Sequence, residues 1–185
     1  MQHPFHLRQA LLPKLWLILL ACFFSFSCNK RSGKPRVLVF SKNTYYFHES
    51  IPAGIAAIQK LGAENNFLVD TTTNAAYFNE DSLKKYAAVI FLNNADNSAS
   101  LLNSAQEAEF ERYIQSGGGY VGIHASSDAE YSWGWYTRLV GGIFNGHPEE
   151  HQEADLTVVN ATHLSTKGMP AHFRKNEEWY NFRKL

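Results

Sequence analysis

The chain has 185 residues, and its 17 basic and 17 acidic side chains give a formal net charge of zero. This balance argues against a nucleic-acid-binding protein, which usually carries a basic patch. Both cysteines, Cys22 and Cys28, lie near the start of the chain. The remainder therefore has no disulfide framework, no thiolate nucleophile and no cysteine metal site. About 150 residues follow Cys28, enough for one domain with a sizeable core.

The first residues have the pattern of a secretory signal. Arg8 and Lys14 precede an apolar run at residues 15–26, and this part of the chain contains no acidic residue. The run is shorter than the roughly 20 residues that span a bilayer. We therefore expect residues 1–27 to be a signal peptide of the lipoprotein type and the protein to be exported.

The cysteine that follows the apolar run suggests a lipid anchor. Ser-Phe-Ser-Cys28 has the form of a loose bacterial lipoprotein cleavage box, which predicts lipidation of Cys28. The protein would then be a membrane-anchored lipoprotein in the periplasm or at the outer membrane. Two alternatives are lipidation of Cys22 instead of Cys28 and an ordinary signal peptide that is cleaved nearby. Residues 28–35 would be a polar tether, followed by a domain at 36–185.

Short apolar runs and helical patterns alternate along the next part of the chain. Continuous apolar runs predict strands buried on both faces, at 36–41, 66–70, 87–92 and 120–124. Helical spacing predicts helices from Ser50 to Gly62, at 82–86, from Ser104 to the glycines at 117–119, and at 133–140. Ser104 and Glu107 have the spacing of a capping box. The alternation predicts an α/β fold, an open parallel sheet with helices on both faces.

The last third of the chain is less regular. Residues 156–159 alternate enough for an edge strand, and the aromatic segment 177–182 also has a strand-like pattern. A strand so close to the last residue lacks the material that would cover it. We therefore expect the domain to be truncated at its C-terminus.

The segment Gly-Gly-Gly-Tyr-Val-Gly-Ile-His-Ala-Ser-Ser-Asp, residues 117–128, brings a buried strand to an imidazole. His124 lies at the carboxyl end of this strand, where ligands bind in open parallel sheets. Gly122 would permit close packing of a neighbouring helix, and the small residues at 125–127 would allow a tight turn. The pattern resembles a nucleophile elbow, in which a sharp turn displays one side chain above the sheet.

Several motifs occur together in one order: the segment at 117–128, Trp-Tyr-Thr-Arg-Leu-Val-Gly-Gly at 135–142, Gly-His-Pro at 146–148, and Glu-Trp-Tyr-Asn-Phe at 178–182. With Phe-His-Glu-Ser-Ile at 47–51, they resemble the trehalose-utilisation (ThuA-like) family. The resemblance implies a flavodoxin-like fold of the class I glutamine-amidotransferase type, with two further strands that this chain lacks.

The resemblance also predicts a loss of amidotransferase chemistry. Glutamine amidotransferases place a cysteine at the elbow, in Gly-Ile-Cys-x-Gly, whereas this chain has Gly122-Ile123-His124-Ala125-Ser126. A thiolate is the nucleophile of that reaction. The protein is therefore not expected to be a glutamine amidotransferase.

Acid–base chemistry is the alternative that the residues near the elbow support. His124 is the candidate base, since histidine titrates near neutral pH; Asp128 and Glu178 are its candidate carboxylate partners. Each also has a structural interpretation: His124 as a hydrogen-bonded histidine at a strand end, and Asp128 as a turn residue.

Further residues are candidates for substrate binding. His48 and Glu49 follow the first strand, His147 lies in a His/Glu-rich loop, and Trp179 could stack on a sugar ring. His151 is a weaker candidate, while His163 and His172 have the pattern of surface residues. A divalent metal ion held by His48, His124 and His147 stays open, although no tight metal-binding motif is present. Trp133 and Trp135 suit either a sugar platform or the core.

These observations predict an exported domain that acts on a carbohydrate or sugar-derived small molecule. The predicted reaction is isomerisation or hydrolysis of a trehalose-type sugar or keto-sugar in a cleft of histidines and carboxylates. The alternative is a non-catalytic sugar-binding or scaffold module with an inactive amidotransferase-like fold. A lipid anchor is the expected membrane contact, and no nucleic-acid partner is expected.

Overall fold

A computed structural model describes residues 33–96 and 99–183. The residues from Lys34 onward form one compact unit. The predicted signal peptide at 1–27 and the predicted lipidation site, Cys28, lie outside the described residues. Within the described ranges, no helix is both long and apolar enough to cross a membrane.

Four parallel strands form the central sheet. In chain order they are β1 (Arg36–Phe40), β2 (Leu68–Thr72), β3 (Ala88–Leu92) and β4 (Gly119–Ile123), and their spatial order is β2-β1-β3-β4. This confirms the predicted flavodoxin-like α/β fold. From β1 the chain continues to β2 at one edge of the sheet, and from β3 it continues to β4 at the other edge. Ligands in such folds usually bind in the crevice between these two strands, at their carboxyl ends.

Helices cover the sheet on both faces: α1 (Ile51–Asn65), α2 (Glu80–Leu83), α3 (Ser104–Gln115) and α4 (Gly134–Val140). Successive side chains of a strand point to opposite faces. One set packs with α1, and its buried members are Val39, Ile51, Ile58, Ile90 and Leu92. The other set packs with α3 and α4 and includes Leu38, Phe40, Val89, Phe91, Phe110, Tyr113 and Tyr136. The central strands β1 and β3 are buried, which accounts for their continuous apolar runs. The edge strands β2 and β4 are half-buried or exposed, so the prediction that all four strands are buried on both faces is wrong for these two.

Helix α1 begins where the sequence predicts but ends later. Ser50 precedes it and Pro52 lies in its first turn, yet the Ser50 hydroxyl accepts a hydrogen bond from the Asn93 side chain (2.9 Å) instead of capping the helix. The predicted end at Gly62 is wrong, since the helix continues to Asn65 and ends at Asn66, a left-handed residue with φ 62°. Gly62 is required for packing: a Cβ there would lie 2.9 Å from the Phe67 carbonyl oxygen.

The capping box of α3 lies one residue before the predicted position. The Asn103 side chain accepts hydrogen bonds from the backbone N–H groups of Ala105 and Gln106, and the Gln106 side chain accepts one from the Asn103 N–H. The predicted pair, Ser104 and Glu107, lies within the first turn of the helix. Asparagine caps a helix as well as serine does, so the sequence was compatible with a cap at either Asn103 or Ser104.

The last third of the described chain forms two small antiparallel pairs. Strand β5 (Ile143–Phe144) pairs with β8 (Phe182–Arg183), and β6 (Gln152–Thr157) pairs with β7 (His172–Glu177). The strand predicted at 177–182 is therefore wrong as one element, because β7 ends at Glu177 and β8 begins at Phe182. Residues 178–181 connect the two pairs, and this connection carries part of the site described below.

Candidate functional site

His124 occupies a sharp turn at the carboxyl end of β4. Its φ is +52°, in the left-handed region, and it begins a 3₁₀ turn over His124–Ser127. A non-glycine residue in this region costs about 1–2 kcal/mol, so the surrounding structure must impose it. The side chain is 32% exposed, whereas the next three residues are buried. The turn therefore displays one imidazole above the sheet, as the sequence predicts.

A network of hydroxyl groups supports this turn from below. The Tyr136 hydroxyl donates to the Ser126 carbonyl oxygen (2.8 Å) and lies 2.9 Å from the Tyr120 hydroxyl. A Cβ at Gly122 would lie 2.6 Å from the Ser126 hydroxyl and 2.7 Å from that of Tyr120. Gly122 is therefore needed for the close approach of the turn itself, rather than of a neighbouring helix as predicted.

Two side chains from the 178–181 connection face His124. The Tyr180 hydroxyl lies 3.2 Å from Nε2 of His124, and Oε2 of Glu178 lies 3.5 Å from the same atom. The rings of His124 and Tyr180 are 4.9 Å apart. Residues two apart in an extended segment point to the same side, which explains how Glu178 and Tyr180 both reach the imidazole.

His147 joins the same group from the loop after β5. Its Nε2 lies 3.6 Å from Oε1 of Glu178, and its ring stacks on Tyr180 at 5.6 Å and 12°. Its Nδ1 lies 2.7 Å from the Pro148 carbonyl oxygen. A carbonyl oxygen only accepts hydrogen bonds, so Nδ1 carries a proton, and Nε2 is the ring nitrogen that faces Glu178.

His48 completes the group from the loop after β1. Its ring contacts that of His124 edge-to-face at 4.8 Å and that of Tyr46 at the same distance. Its Nδ1 is buried and has no hydrogen-bond partner among the described residues. Burial lowers the pKa of His48, the charge of His124 lowers it further, and Glu178 opposes both effects. The structure thus brings His48, His124 and His147 together at one edge of the sheet.

Asp128 lies beside this group with a different partner from the predicted one. Its carboxylate accepts a hydrogen bond from the Tyr131 hydroxyl, and burial raises its pKa. Its backbone carbonyl accepts from the Asp96 N–H at 3.1 Å, which ties the loops after β3 and β4 together. Glu178 and Tyr180, rather than Asp128, are therefore the polar partners of Nε2 of His124.

Trp179 and Glu49 lie outside the group of imidazoles. The indole N–H of Trp179 donates to the Gln152 carbonyl oxygen at 2.6 Å, so this side chain attaches the 178–181 connection to β6. Glu49 is exposed next to His48, and His151 is exposed near Glu177. The remaining candidates are surface or core residues: His163 and His172 are exposed, while Trp133 and Trp135 pack with the core.

Tyr180 belongs to the candidate site, although sequence reasoning did not select it. Its ring lies between His124 and His147 and rests on Phe144 at 4.4 Å. Burial raises the pKa of its hydroxyl, and the Glu178 carboxylate raises it further. The hydroxyl therefore stays protonated at neutral pH. The sequence contained one signal for Tyr180: it lies two residues after Glu178, and residues two apart in an extended segment point to the same side.

The imidazoles of His48, His124 and His147 are the donor set of the open metal alternative. Within residues 33–96 and 99–183, no group of three or more His, Cys, Asp or Glu side chains is arranged to hold a metal ion. His48 meets His124 with ring edge against ring face, and its unpartnered Nδ1 is buried. The arrangement of the three imidazoles does not fit a shared metal ion.

Comparison with known proteins identifies the family of this domain. The model of the trehalose utilisation family, ThuA, matches residues 36–185. A ThuA-like protein from Bacteroides uniformis is 26% identical, with a TM-score of 0.68 over 85% of this chain and 65% of that chain. One from Parabacteroides merdae, 19% identical, has the same fold, with a TM-score of 0.65 over 82% of this chain and 64% of that chain.

The chain thus spans about two thirds of the length of these two solved proteins. No curated protein matches it significantly. The family match covers the four-stranded sheet, the His124 turn and the connection that carries Glu178 and Tyr180. The chain therefore belongs to the ThuA, or trehalose utilisation, family.

Proposed function

We propose that this protein is an acid–base enzyme of carbohydrate utilisation, which isomerises or hydrolyses a trehalose-type sugar or keto-sugar. The sugar connection comes from the family description, trehalose utilisation. The observation that carries the chemistry is the surroundings of the displayed imidazole. Nε2 of His124 lies 3.2 Å from the Tyr180 hydroxyl and 3.5 Å from the Glu178 carboxylate.

His124 is the proposed base. Its imidazole is partly exposed at the strand end, so a substrate can reach it. The Glu178 carboxylate lies close enough to stabilise the imidazolium that forms when His124 takes a proton. Glu178 also lies 3.6 Å from His147, and one carboxylate thereby serves two imidazoles.

Tyr180 and His48 supply uncharged hydrogen-bonding groups. The raised pKa of Tyr180 keeps its hydroxyl protonated, which suits a donor to an oxygen that gains negative charge. The lowered pKa of His48 keeps that imidazole neutral at pH 7, so it contacts the substrate as a neutral hydrogen-bonding group. His147 would contact substrate oxygens through Nε2.

A keto-sugar would react by proton transfer beside its carbonyl. His124 takes the proton from the carbon next to the carbonyl, and the electron pair of that C–H bond forms an enolate, whose oxygen accepts a hydrogen bond from Tyr180. Return of the proton to the former carbonyl carbon, with passage of the neighbouring hydroxyl proton to the enolate oxygen, gives an isomer. Alternatively, the enolate expels the glycosidic oxygen, which takes the proton from the imidazolium, and water then adds to the resulting double bond. The second sequence amounts to hydrolysis.

The site of action is proposed to be outside the cytoplasmic membrane. Basic residues, a short apolar run and Cys28 support an exported lipoprotein in the periplasm or at the outer membrane. Residues 28–35 would then tether the domain to the membrane through the lipid.

The proposal is tested with trehalose and with trehalose oxidised to a ketone two carbons from the glycosidic carbon. Proton NMR in D₂O follows exchange of the hydrogen beside the carbonyl, together with product formation. We expect exchange or turnover with the native chain and a loss of about 10²–10⁴-fold in His124→Gln, the range for removal of a general base.

His163→Gln is the matched control, because His163 is exposed and bonds locally to Ser165; its rate should equal that of the native chain. Sugar binding without exchange, isomerisation or hydrolysis would refute the enzyme proposal. That outcome would support the alternative, a non-catalytic sugar-binding module.

A further inference from the structure

A cleft opens beside the imidazole group, with Asp128 and Phe144 in its lining. Its volume is about 600 Å³, and its lining includes Tyr45, Asp96, Asp128, Tyr131, Phe144 and Arg183. These residues come from the loops after β1, β3 and β4 and from the β5–β8 pair. The cleft therefore lies at the carboxyl ends of the strands, by the crevice between β1 and β3.

Two residues connect this cleft with the imidazole group. Phe144 lines the cleft and packs on Tyr180 at 4.4 Å, while Tyr180 contacts His124. Asp128 also lines the cleft, and the charges of His124 and His147 act on its carboxylate. The cleft therefore adjoins the imidazole group, from which it is separated by the ring contacts of Tyr180 and Phe144. This separation is within reach of a ligand longer than one sugar ring.

The lining suits an uncharged sugar ring. Tyr45 is 65% exposed and, with Tyr131 and Phe144, offers aromatic surface for the apolar face of a ring. The Asp128 carboxyl and the Arg183 guanidinium offer an acceptor and donors for hydroxyl groups, while Asp96 is buried and accepts from the Glu130 N–H. The carboxylates of Asp96 and Asp128 outnumber the single guanidinium of Arg183, which disfavours a phosphate or a uronic acid.

We propose that this cleft is the subsite for the second, uncharged sugar unit of a disaccharide whose first unit lies at His124. This inference rests on the proposed function, since it takes the imidazole group as the position of the reacting ring. It adds a specificity: the protein prefers a neutral disaccharide to the monosaccharide and to the phosphorylated disaccharide.

Calorimetric titration of the chain with trehalose, glucose and trehalose 6-phosphate tests this subsite. Tyr45→Ala should weaken trehalose binding by about three- to tenfold, the loss of one aromatic contact, and change glucose binding by less than about twofold. Trehalose 6-phosphate should bind more weakly than trehalose. Tyr77→Ala is the control, because Tyr77 is a partly exposed tyrosine of the 3₁₀ turn at Ala75–Tyr77, away from the cleft lining.

The two proposals fail in different ways. Equal effects of Tyr45→Ala on trehalose and glucose, or no effect on either, would overturn the subsite while sugar binding at His124 stands. Tighter binding of trehalose 6-phosphate than of trehalose would also overturn it, by assigning the cleft to an anion. If the native chain binds neither sugar, the subsite fails; if it also leaves the keto-sugar unchanged, the proposed function fails with it.

Discussion

The Tyr180 hydroxyl lies 3.2 Å from Nε2 of His124, although the two residues are 56 positions apart in the chain. His124 is displayed by the left-handed turn after β4, and Tyr180 by the connection between β7 and β8. The contact joins the parallel sheet to the antiparallel pairs of the last third of the chain. The catalytic group that we propose therefore exists only when these two parts of the chain pack together.

The first prediction concerns this contact. Tyr180→Phe keeps the ring against Phe144 and His147 but removes the hydroxyl, so turnover of the keto-sugar should fall by about 10–10³-fold. The melting temperature should change by only a few degrees, because the packing is kept. Steady-state kinetics and thermal unfolding measure the two effects. Tyr77→Phe is the control, and equal turnover in Tyr180→Phe and the native chain would remove Tyr180 from the mechanism.

The second prediction concerns the support of the elbow. Gly122→Ala should destabilise the fold by about 1–3 kcal/mol, because the new methyl group would lie within 3 Å of the Ser126 and Tyr120 hydroxyls. Turnover should also fall, since the His124 turn must shift. Gly134→Ala is the matched control: its Cβ would meet only the end of the Arg138 side chain at 3.4 Å. Urea unfolding compares the two variants, and similar midpoints would contradict the role of Gly122.

The third prediction is a pH dependence of stability that arises at Glu130. The residue is 1% exposed, and its backbone φ is +56°. Its carboxyl accepts a hydrogen bond from the Leu102 N–H at 2.9 Å. Burial raises its pKa from 4.5 to about 7, and the charge of Asp96 contributes. Between these values the folded state binds more protons than the unfolded chain, so the free energy of unfolding should decrease as the pH rises.

Glu130→Gln removes this titration while keeping the shape of the side chain. The variant should show a flatter pH profile than the native chain, and above pH 7 it should be more stable by about 1–3 kcal/mol. Glu130→Ala, which loses the bond to Leu102, should be less stable than Glu130→Gln at every pH. Denaturant titrations from pH 5 to 8 give the profiles. Parallel profiles for Glu130→Gln and the native chain would show that Glu130 is ionised throughout.

The fourth prediction concerns export. Cys28 should be lipidated and residues 1–27 should be absent from the mature protein. Cells that express the chain should incorporate a fatty-acid analogue into it, whereas Cys28→Ser should stay unlabelled. Cys22→Ser is the control and should label like the native chain. Full labelling of Cys28→Ser would place the lipid on Cys22 instead.

The fifth prediction is the absence of glutaminase activity. The elbow position holds the imidazole of His124, and the described residues contain no cysteine that could supply a thiolate. Purified protein should release no ammonia from glutamine above the rate of His124→Gln. Clear release that depends on His124 would show that the elbow supports an amidotransferase-like reaction without a thiol.

The candidate site was predictable where it depends on the ends of buried strands. Buried parallel strands read as apolar runs, and their carboxyl ends meet at one edge of the sheet. That rule placed His48 after β1 and His124 after β4, and the two rings do meet at 4.8 Å. Asp128 was expected to contact His124 because it is near in sequence, yet the 3₁₀ turn directs its carboxylate to Tyr131.

The sequence alone determined the class of the fold and the identity of the displayed residue. A strand buried on both faces needs apolar side chains at every position, and a tight turn needs small ones. Both requirements leave patterns in the local sequence, which can be recognised without knowing what packs against the segment. Tertiary structure decided which groups face His124. Glu178 and Tyr180 reach it from the connection between β7 and β8, and Trp179 lies between them but bonds to β6 instead. Contacts of this kind depend on the packing of segments far apart in the chain, and no local periodicity encodes them.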